Sequence, residues 1–415
     1  MERATSVLGV LILTGLAFLA CPRALRRHVN WRTVGLGMLL QVAFAILVLK
    51  TPVNQAFKFG DGVVGRLLGF SREGAEFVFG SLVSDTKSFG FVFAFQILPT
   101  IVFFASFMAI LYHIGFMPFV IKLMARGMSR FLGTSGAESF STAADIFVGQ
   151  TEAPLVIRPY LPTLTRSELM ACMTMGFAST AGGVLAAYVA MLQPFIPGIA
   201  GHLLACSVMC APASIVIAKL MLPESGQPVT LGTVQIDIPK VDVNVVDAAA
   251  RGTTEGLRLA ANVGAMLIAF IALTAMVNFG LQRIGDLVGV ALSLQRVMAW
   301  IFTPLAWSLG VPLPDVPKVA GLLGEKMVLN EFVAYARMGR ELAESGGTWL
   351  SPRAQLIASY ALCGFANFAS IGIQIGGYGG LAPERRGDLS QLGFRAMIAG
   401  TLTTCLVACV AGILV

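Results

Sequence analysis

The sequence predicts an all-α polytopic membrane protein: about eight transmembrane helices plus two re-entrant hairpins in inverted repeats, with interrupted helices at a midplane site. Three observations lead there. Of the 415 residues, 56% are hydrophobic and only 12% are charged, whereas a soluble chain of this length would carry about 25%. Eight apolar runs have the length of a membrane-crossing helix. Two further stretches, 134–165 and 313–345, are semi-polar and hold acids at a depth where charge is costly and rarely idle.

The apolar runs lie near 5–21, 33–49, 90–113, 169–200, 204–222, 254–280, 354–378 and 394–415, each long enough to cross a ~30 Å hydrocarbon core. The first ends in Leu19-Ala20-Cys21, which resembles a lipoprotein signal. Phe18 is bulky for that cleavage site, and the arginines follow the run instead of preceding it, so an uncleaved first span is expected. Arg23, Arg26, Arg27 and Arg32 crowd the next loop and assign it to the cytoplasm. Both termini are then outside, and Arg385, Arg386 and Arg395 precede the last span on the inside. The segments 50–89 and 281–353 carry basic residues on the expected outside, where long loops follow the rule poorly. The net charge of +7 reads as this loop bias and not as affinity for nucleic acid. Cys206/Cys210 and Cys405/Cys409 have helical spacing, but no His or acid completes a metal set. All seven cysteines read as small core residues.

The segment Asp145-Ile-Phe-Val-Gly-Gln-Thr-Glu-Ala-Pro154 concentrates polar groups in an apolar chain, and Gly149 and Pro154 break a helix where the acids sit. It lies in 134–165, with Glu138, Asp145 and Glu152. The stretch 313–345 holds Glu325, Lys326, Asn330 and Glu331. Both fit re-entrant hairpins, the first entering from the cytoplasm and the second from outside. After the first comes Gly176-Phe-Ala-Ser-Thr-Ala-Gly-Gly183, and after the second Gly364-Phe-Ala-Asn-Phe-Ala-Ser-Ile-Gly372. Inverted repeats with interrupted helices mark secondary transporters with a midplane site.

Glu152 and Glu331 can accept hydrogen bonds from hydroxyls or a base N–H, and Gln150 offers both donor and acceptor. Asn367 and Ser370 add hydroxyl-compatible partners. Phe365 can stack on a flat ring, and Val184 can line an apolar wall. The set suits an uncharged, hydroxyl-rich solute with a planar heterocycle. It suits a phosphate poorly, because no Arg or Lys cluster accompanies it. The competing reading is that these groups merely bond helices together, which is common for a single Ser or Asn and less so for two intramembrane glutamates.

Several segments together resemble the bacterial concentrative nucleoside transporters: Ile-Phe-Val-Gly-Gln-Thr-Glu-Ala-Pro-Leu (146–155), Arg158-Pro-Tyr, Ala178-Ser-Thr-Ala-Gly-Gly-Val184, Asn330-Glu-Phe-Val-Ala-Tyr335 and Tyr360-Ala-Leu-Cys-Gly-Phe-Ala-Asn367. The resemblance covers essentially the whole chain. It implies a multi-pass protein of the bacterial inner membrane and a homotrimer in the lipid bilayer. It also implies a division into scaffold and transport core. In that division, 1–113 holds early scaffold spans and an interfacial segment, and 114–133 an amphipathic helix. The first hairpin and following core spans occupy 134–222, and a cytoplasmic linker 223–253. A scaffold span occupies 254–280, the second hairpin and broken seventh span 281–393, and the last scaffold span 394–415. The resemblance further implies that Gln150, Thr151, Glu152 and Val184 meet a nucleobase. Glu331, Asn367 and Ser370 would meet the ribose, and Phe365 would pack on the nucleoside. A sodium ion would sit at Asp145, Val148, Thr151, Ser179 and Thr180, with backbone carbonyls among its ligands. Sodium-coupled members usually have Asn where this chain has Asp145. A carboxylate there would hold Na+ more strongly or carry H+ instead; the resemblance of the other ligands favours sodium as the coupling ion, with H+ carried by Asp145 as the alternative.

Two other readings compete. Gly133-Thr-Ser-Gly136 resembles the nucleophile motif of intramembrane rhomboid proteases, with His202 as the candidate base. The rest of that pattern is missing, and a Gly/Ser turn opening the hairpin is favoured. A channel would need a continuous polar stripe, whereas the polar residues here cluster in two interrupted units.

Overall fold

The computed structural model describes residues 2–50, 53–85, 92–232 and 242–415, and the expected all-α architecture is borne out: no strand occurs among them. Helices of nine or more residues are α1 Glu2–Leu19, α2 Trp31–Lys50, α3 Val53–Phe79, α4 Leu98–His113, α5 Phe116–Leu132, α6 Gly136–Ala144, α7 Arg166–Ala178, α8 Gly182–Leu192, α9 Ile199–Met221, α10 Val245–Val288, α11 Leu294–Ser308, α12 Val316–Val328, α13 Glu331–Glu344, α14 Pro352–Leu362, α15 Phe368–Leu381 and α16 Arg386–Leu414. Seven segments among the described residues are long and apolar enough to cross a membrane. The expected span at 354–378 is not among them; it is divided into α14 and α15.

Burial separates the helices into two groups. Helices α7, α8, α9 and α16 are mostly buried, while α1 and α10 present Leu11, Leu19, Ile268, Ile271, Met276 and Phe279 outward. Such apolar surfaces suit lipid or a neighbouring subunit. Helix α10 packs along α4, and a Cβ added at Gly252 or Gly256 would lie within 2.8 Å of Ala105 or Val102 atoms. This small-xxx-small spacing lets the two backbones approach closely.

Both termini lie at one side of the bundle. Arg3 Nη2 donates to the Val415 carbonyl (2.8 Å), and Arg353 Nη2 to that of Gly412 (2.8 Å). At the opposite side, Arg395 Nη2 joins the carbonyl ends of α1 and α9, donating to Ala20 (2.6 Å) and Met221 (2.7 Å). The first hairpin opens on this basic side: Glu138 at its base meets Lys219 near the end of α9 (2.8 Å). The second opens on the terminal side, where Asp315 before α12 accepts from the Ser351 N–H (3.0 Å) and Arg353 from α14 reaches Gly310 (3.0 Å). The two hairpins therefore enter from opposite sides, as the repeat requires.

Several local readings change. The second arm of the first hairpin is not a regular helix. Pro154, Pro159 and Pro162 reduce it to a short turn at Ala153–Val156 and a 3-10 segment at Arg158–Thr163. The end of the expected 223–253 linker is helical, because Asn244 caps the Asp247 N–H (2.9 Å) and starts α10 there; residues 233–241 of that linker lie outside the described residues. Helix α10 also runs past 280, so its 44 residues span about 66 Å at 1.5 Å rise per residue. Helices α3 and α11 occupy segments that carried no assigned element.

Candidate functional site

Each hairpin turns in the middle of the bundle, opposite a broken helix. The first break separates α7 from α8 at 179–181; the second separates α14 from α15 at 363–367. The breaks touch. Gly364 has φ +95°, and a Cβ on it would lie 2.5 Å from the Ala178 carbonyl oxygen, so only glycine permits both the turn and the crossing. Thr180 and Cys363 approach to 3.7 Å at the same place.

After each pause the chain restarts through an asparagine cap. Asn330 Oδ1 accepts from the Val333 N–H (2.8 Å) to begin α13, and Asn367 Oδ1 from the Ser370 N–H (2.9 Å) to begin α15. That bond fixes the Asn367 amide, so Nδ2 donates to Glu331 Oε2 (3.0 Å). Glu331 Oε1 accepts from the Tyr188 hydroxyl (2.9 Å). Glu331 is buried, and each of its oxygens keeps a further lone pair. Tyr188 is held in turn by stacking on Tyr335, with centroids 4.2 Å apart.

The first hairpin tip reaches the other half-site. Gln150 Nε2 donates to Ser370 Oγ (3.2 Å), and Gln374 Nε2 donates to Gln150 Oε1 (3.0 Å). Thr151 and Glu152 are exposed on the tip, beside the buried Gln150. Val184 is buried and Phe365 half-buried. The arrangement brings Gln150 and Ser370 together, and Glu331 and Asn367 together, and Ser370 links the two groups through its place on the Asn367-capped helix.

The other expected cluster lies where the same tip meets the first break. The Gly182 N–H donates to the Phe147 carbonyl (3.1 Å), and a Cβ on Gly149 would touch Ala181 at 3.4 Å. Asp145, Ser179 and Thr180 are fully buried and Val148 nearly so. Both Asp145 carboxylate oxygens and the Ser179 hydroxyl have no hydrogen-bond partner among the described residues. Buried oxygens without protein partners are the chemistry a hard cation satisfies, so these residues fit the expected Na+. The second break carries its own cation: Lys326 Nζ donates to the carbonyls of Ala361 and Cys363 (both 2.9 Å) and to Thr404 Oγ1 (3.2 Å).

Tyr188, Gln374 and Lys326 were not assigned roles from sequence. Tyr188 is one helical turn from Val184 and Gln374 one turn from Ser370, which was the available signal. The acids Glu138 and Glu325 are structural, paired with Lys219 (2.8 Å) and Arg337 (3.0 Å). The protease reading fails on geometry. Ser135 caps α6 and donates to Glu168 (2.5 Å), while the His202 ring pairs with the Tyr360 hydroxyl (3.2 Å). All seven cysteines are buried and free, and no metal-holding group of His, Cys, Asp and Glu occurs among the described residues.

Known proteins show the same organisation. Residues 8–82 match the family model described as Na+ dependent nucleoside transporter N-terminus, 94–195 that described as nucleoside recognition (Gate), and 202–412 that described as Na+ dependent nucleoside transporter C-terminus. An uncharacterized transporter of Haemophilus influenzae is 42% identical over 100% of this chain and 98% of its own. Human sodium/nucleoside cotransporter 1 is 39% identical over 100% of this chain, which spans 64% of that longer protein. The structure of CNTnw in an inward-facing, substrate-bound state superposes with a TM-score of 0.92 at 42% identity, covering 100% of this chain and 98% of that one. A CNTnw variant in an outward-facing state gives 0.92 at 41% identity, with the same coverage. The chain thus belongs to the Na+-dependent nucleoside transporter family, whose members are alternating-access membrane symporters and not enzymes.

Proposed function

We propose that this chain imports uridine-like nucleosides across the bacterial inner membrane, as a homotrimer with both termini outside and with Na+ as the coupling ion. The observation that carries the reading is the junction of the two hairpin tips with the two broken helices. It gathers a buried carboxylate, three amides and a hydroxyl at Glu331, Gln150, Asn367, Gln374 and Ser370. Among the described residues no arginine hydrogen-bonds to this set, and Lys326 is engaged by helix carbonyls.

In this reading, Gln150, Thr151, Glu152 and Val184 bind the base. Glu331, Asn367 and Ser370 accept and donate to ribose hydroxyls, and Phe365 packs against the nucleoside. Na+ is held by Asp145, Val148, Thr151, Ser179 and Thr180 and supplies positive charge that ties the first hairpin tip to the first break. Because Thr151 and Gln150 are adjacent, ordering the tip for the ion also orders it for the base. Ion and substrate couple because each favours the same conformations of the transport core. The exposed apolar faces of α1 and α10 support burial against lipid and neighbouring subunits, and the arginine-rich side opposite the termini supports the orientation.

The test is accumulation. Proteoliposomes with an imposed ion gradient should concentrate uridine above its external level, and UMP should compete poorly. Mere equilibration would mean a channel or facilitator, and strong UMP competition would contradict the missing phosphate clamp.

A further inference from the structure

Gln374 lies outside the set assigned to substrate, yet it is fully buried, with Gln150 5% and Ser370 2% exposed beside it. Its Nε2 donates both to the Met173 carbonyl (3.1 Å) and to Gln150 Oε1 (3.0 Å). A backbone carbonyl can only accept, so the Gln374 atom facing Met173 must be the nitrogen. That nitrogen has two hydrogens. The second points at Gln150, which must therefore present its oxygen. The Gln150 nitrogen then faces away, donating to Ser370 Oγ (3.2 Å), and its second N–H has no acceptor among the described residues.

The contact depends on room left by Gly176. A Cβ there would lie 2.8 Å from Gln374 Nε2 and 3.1 Å from Gln150 Cβ. The helix thus carries no side chain at the one point where the two glutamines meet.

We propose that Gln374 is a specificity-determining positioning residue. Through a relay of fixed polarity from Met173 to Gln374 to Gln150, it makes the site offer an N–H donor to the nucleobase and so favours bases with a carbonyl on that edge, such as uracil, over those with an amino group, such as cytosine. This rests on the reading of Gln150 as a base-binding residue. Gln374 itself need not touch the nucleoside.

Gln374→Glu tests the polarity. The oxygen replacing Nε2 carries at most one hydrogen, so it cannot donate to both Met173 and Gln150. When ionised it can only accept, and when its single hydrogen goes to the Met173 carbonyl it likewise accepts from Gln150, whose amide turns over and presents its carbonyl to the base. Reversing one buried hydrogen bond should shift the cytidine-to-uridine Kd ratio toward cytidine by about tenfold or more. The readout is nucleoside titration of the purified full-length protein. Gln374→Met keeps the bulk and removes the director, so the ratio should move toward unity; it carries the test if Gln374→Glu does not fold. A ratio within twofold of the parent in the folded variants, while Gln150→Ala weakens nucleoside binding, overturns the role of Gln374 alone. If Gln150→Ala leaves binding unchanged, the base-site reading fails and this inference falls with it.

Discussion

Replacing Glu331 by Gln should weaken uridine binding about tenfold to a hundredfold while leaving the fold intact. The carboxylate has two protein partners, the Tyr188 hydroxyl (2.9 Å) and Asn367 Nδ2 (3.0 Å). A glutamine can turn its oxygen to Asn367, which only donates there, and its amide nitrogen to the Tyr188 oxygen, which can accept. Both internal bonds then survive. What is lost is the negative charge offered to a ribose hydroxyl. A hydrogen bond to a charged group contributes about 1.5–3 kcal/mol net, which at 1.4 kcal/mol per decade gives the stated range. The assay is calorimetric titration of the solubilised protein with uridine and with deoxy analogues lacking one ribose hydroxyl, alongside a melting curve. The parent should discriminate against at least one analogue, and the variant should lose most of that discrimination. Uridine affinity within threefold of the parent would refute the assignment. Glu331→Ala is a poorer experiment, because it leaves Tyr188 and Asn367 unpaired and opens a cavity.

Two further outcomes are expected. Lys326→Met should lower stability by about 1–4 kcal/mol, because two buried carbonyls at the end of α14 lose their donor and each unpaired group costs about 1–3 kcal/mol, partly offset by relief of the buried charge; an unchanged thermal transition would show that the second break does not need its internal cation. Asp145→Asn should raise the Na+ concentration for half-maximal uridine uptake about tenfold while retaining transport, since carboxylate charge sets cation affinity; an unchanged Na+ dependence would remove Asp145 from the ion site.

The hairpins and breaks were legible because glycine, proline and acids interrupt apolar runs conspicuously, and because the motif after each hairpin repeats. The spans' existence followed from apolar length, but their bounds did not all follow: α10 extends past both ends of 254–280, and 354–378 is divided into α14 and α15. Helices α3 and α11 were not, since they carry no long uniform apolar run, and their amphipathic character is settled only by what they pack against. The second arm of the first hairpin, where three prolines fall within nine residues, keeps only short helical turns. Within the site, Gln150, Glu331 and Asn367 stood out as polar residues at interruptions. Tyr188 and Gln374 did not, because their partners lie 143 and 224 residues away and only folding brings them together. Lys326 was visible as an intramembrane charge, but its carbonyl partners belong to a helix end whose position the chain does not announce.

The central claim is that a sodium gradient drives nucleoside entry through the junction of hairpin tips and broken helices. It is tested most directly by measuring uridine accumulation in proteoliposomes under an inward Na+ gradient, with choline replacing Na+ in parallel and external pH varied in both. Accumulation that needs Na+ and collapses in choline at every pH is the predicted result. Uptake that persists in choline and falls as external pH rises would contradict sodium coupling and make Asp145 a proton carrier.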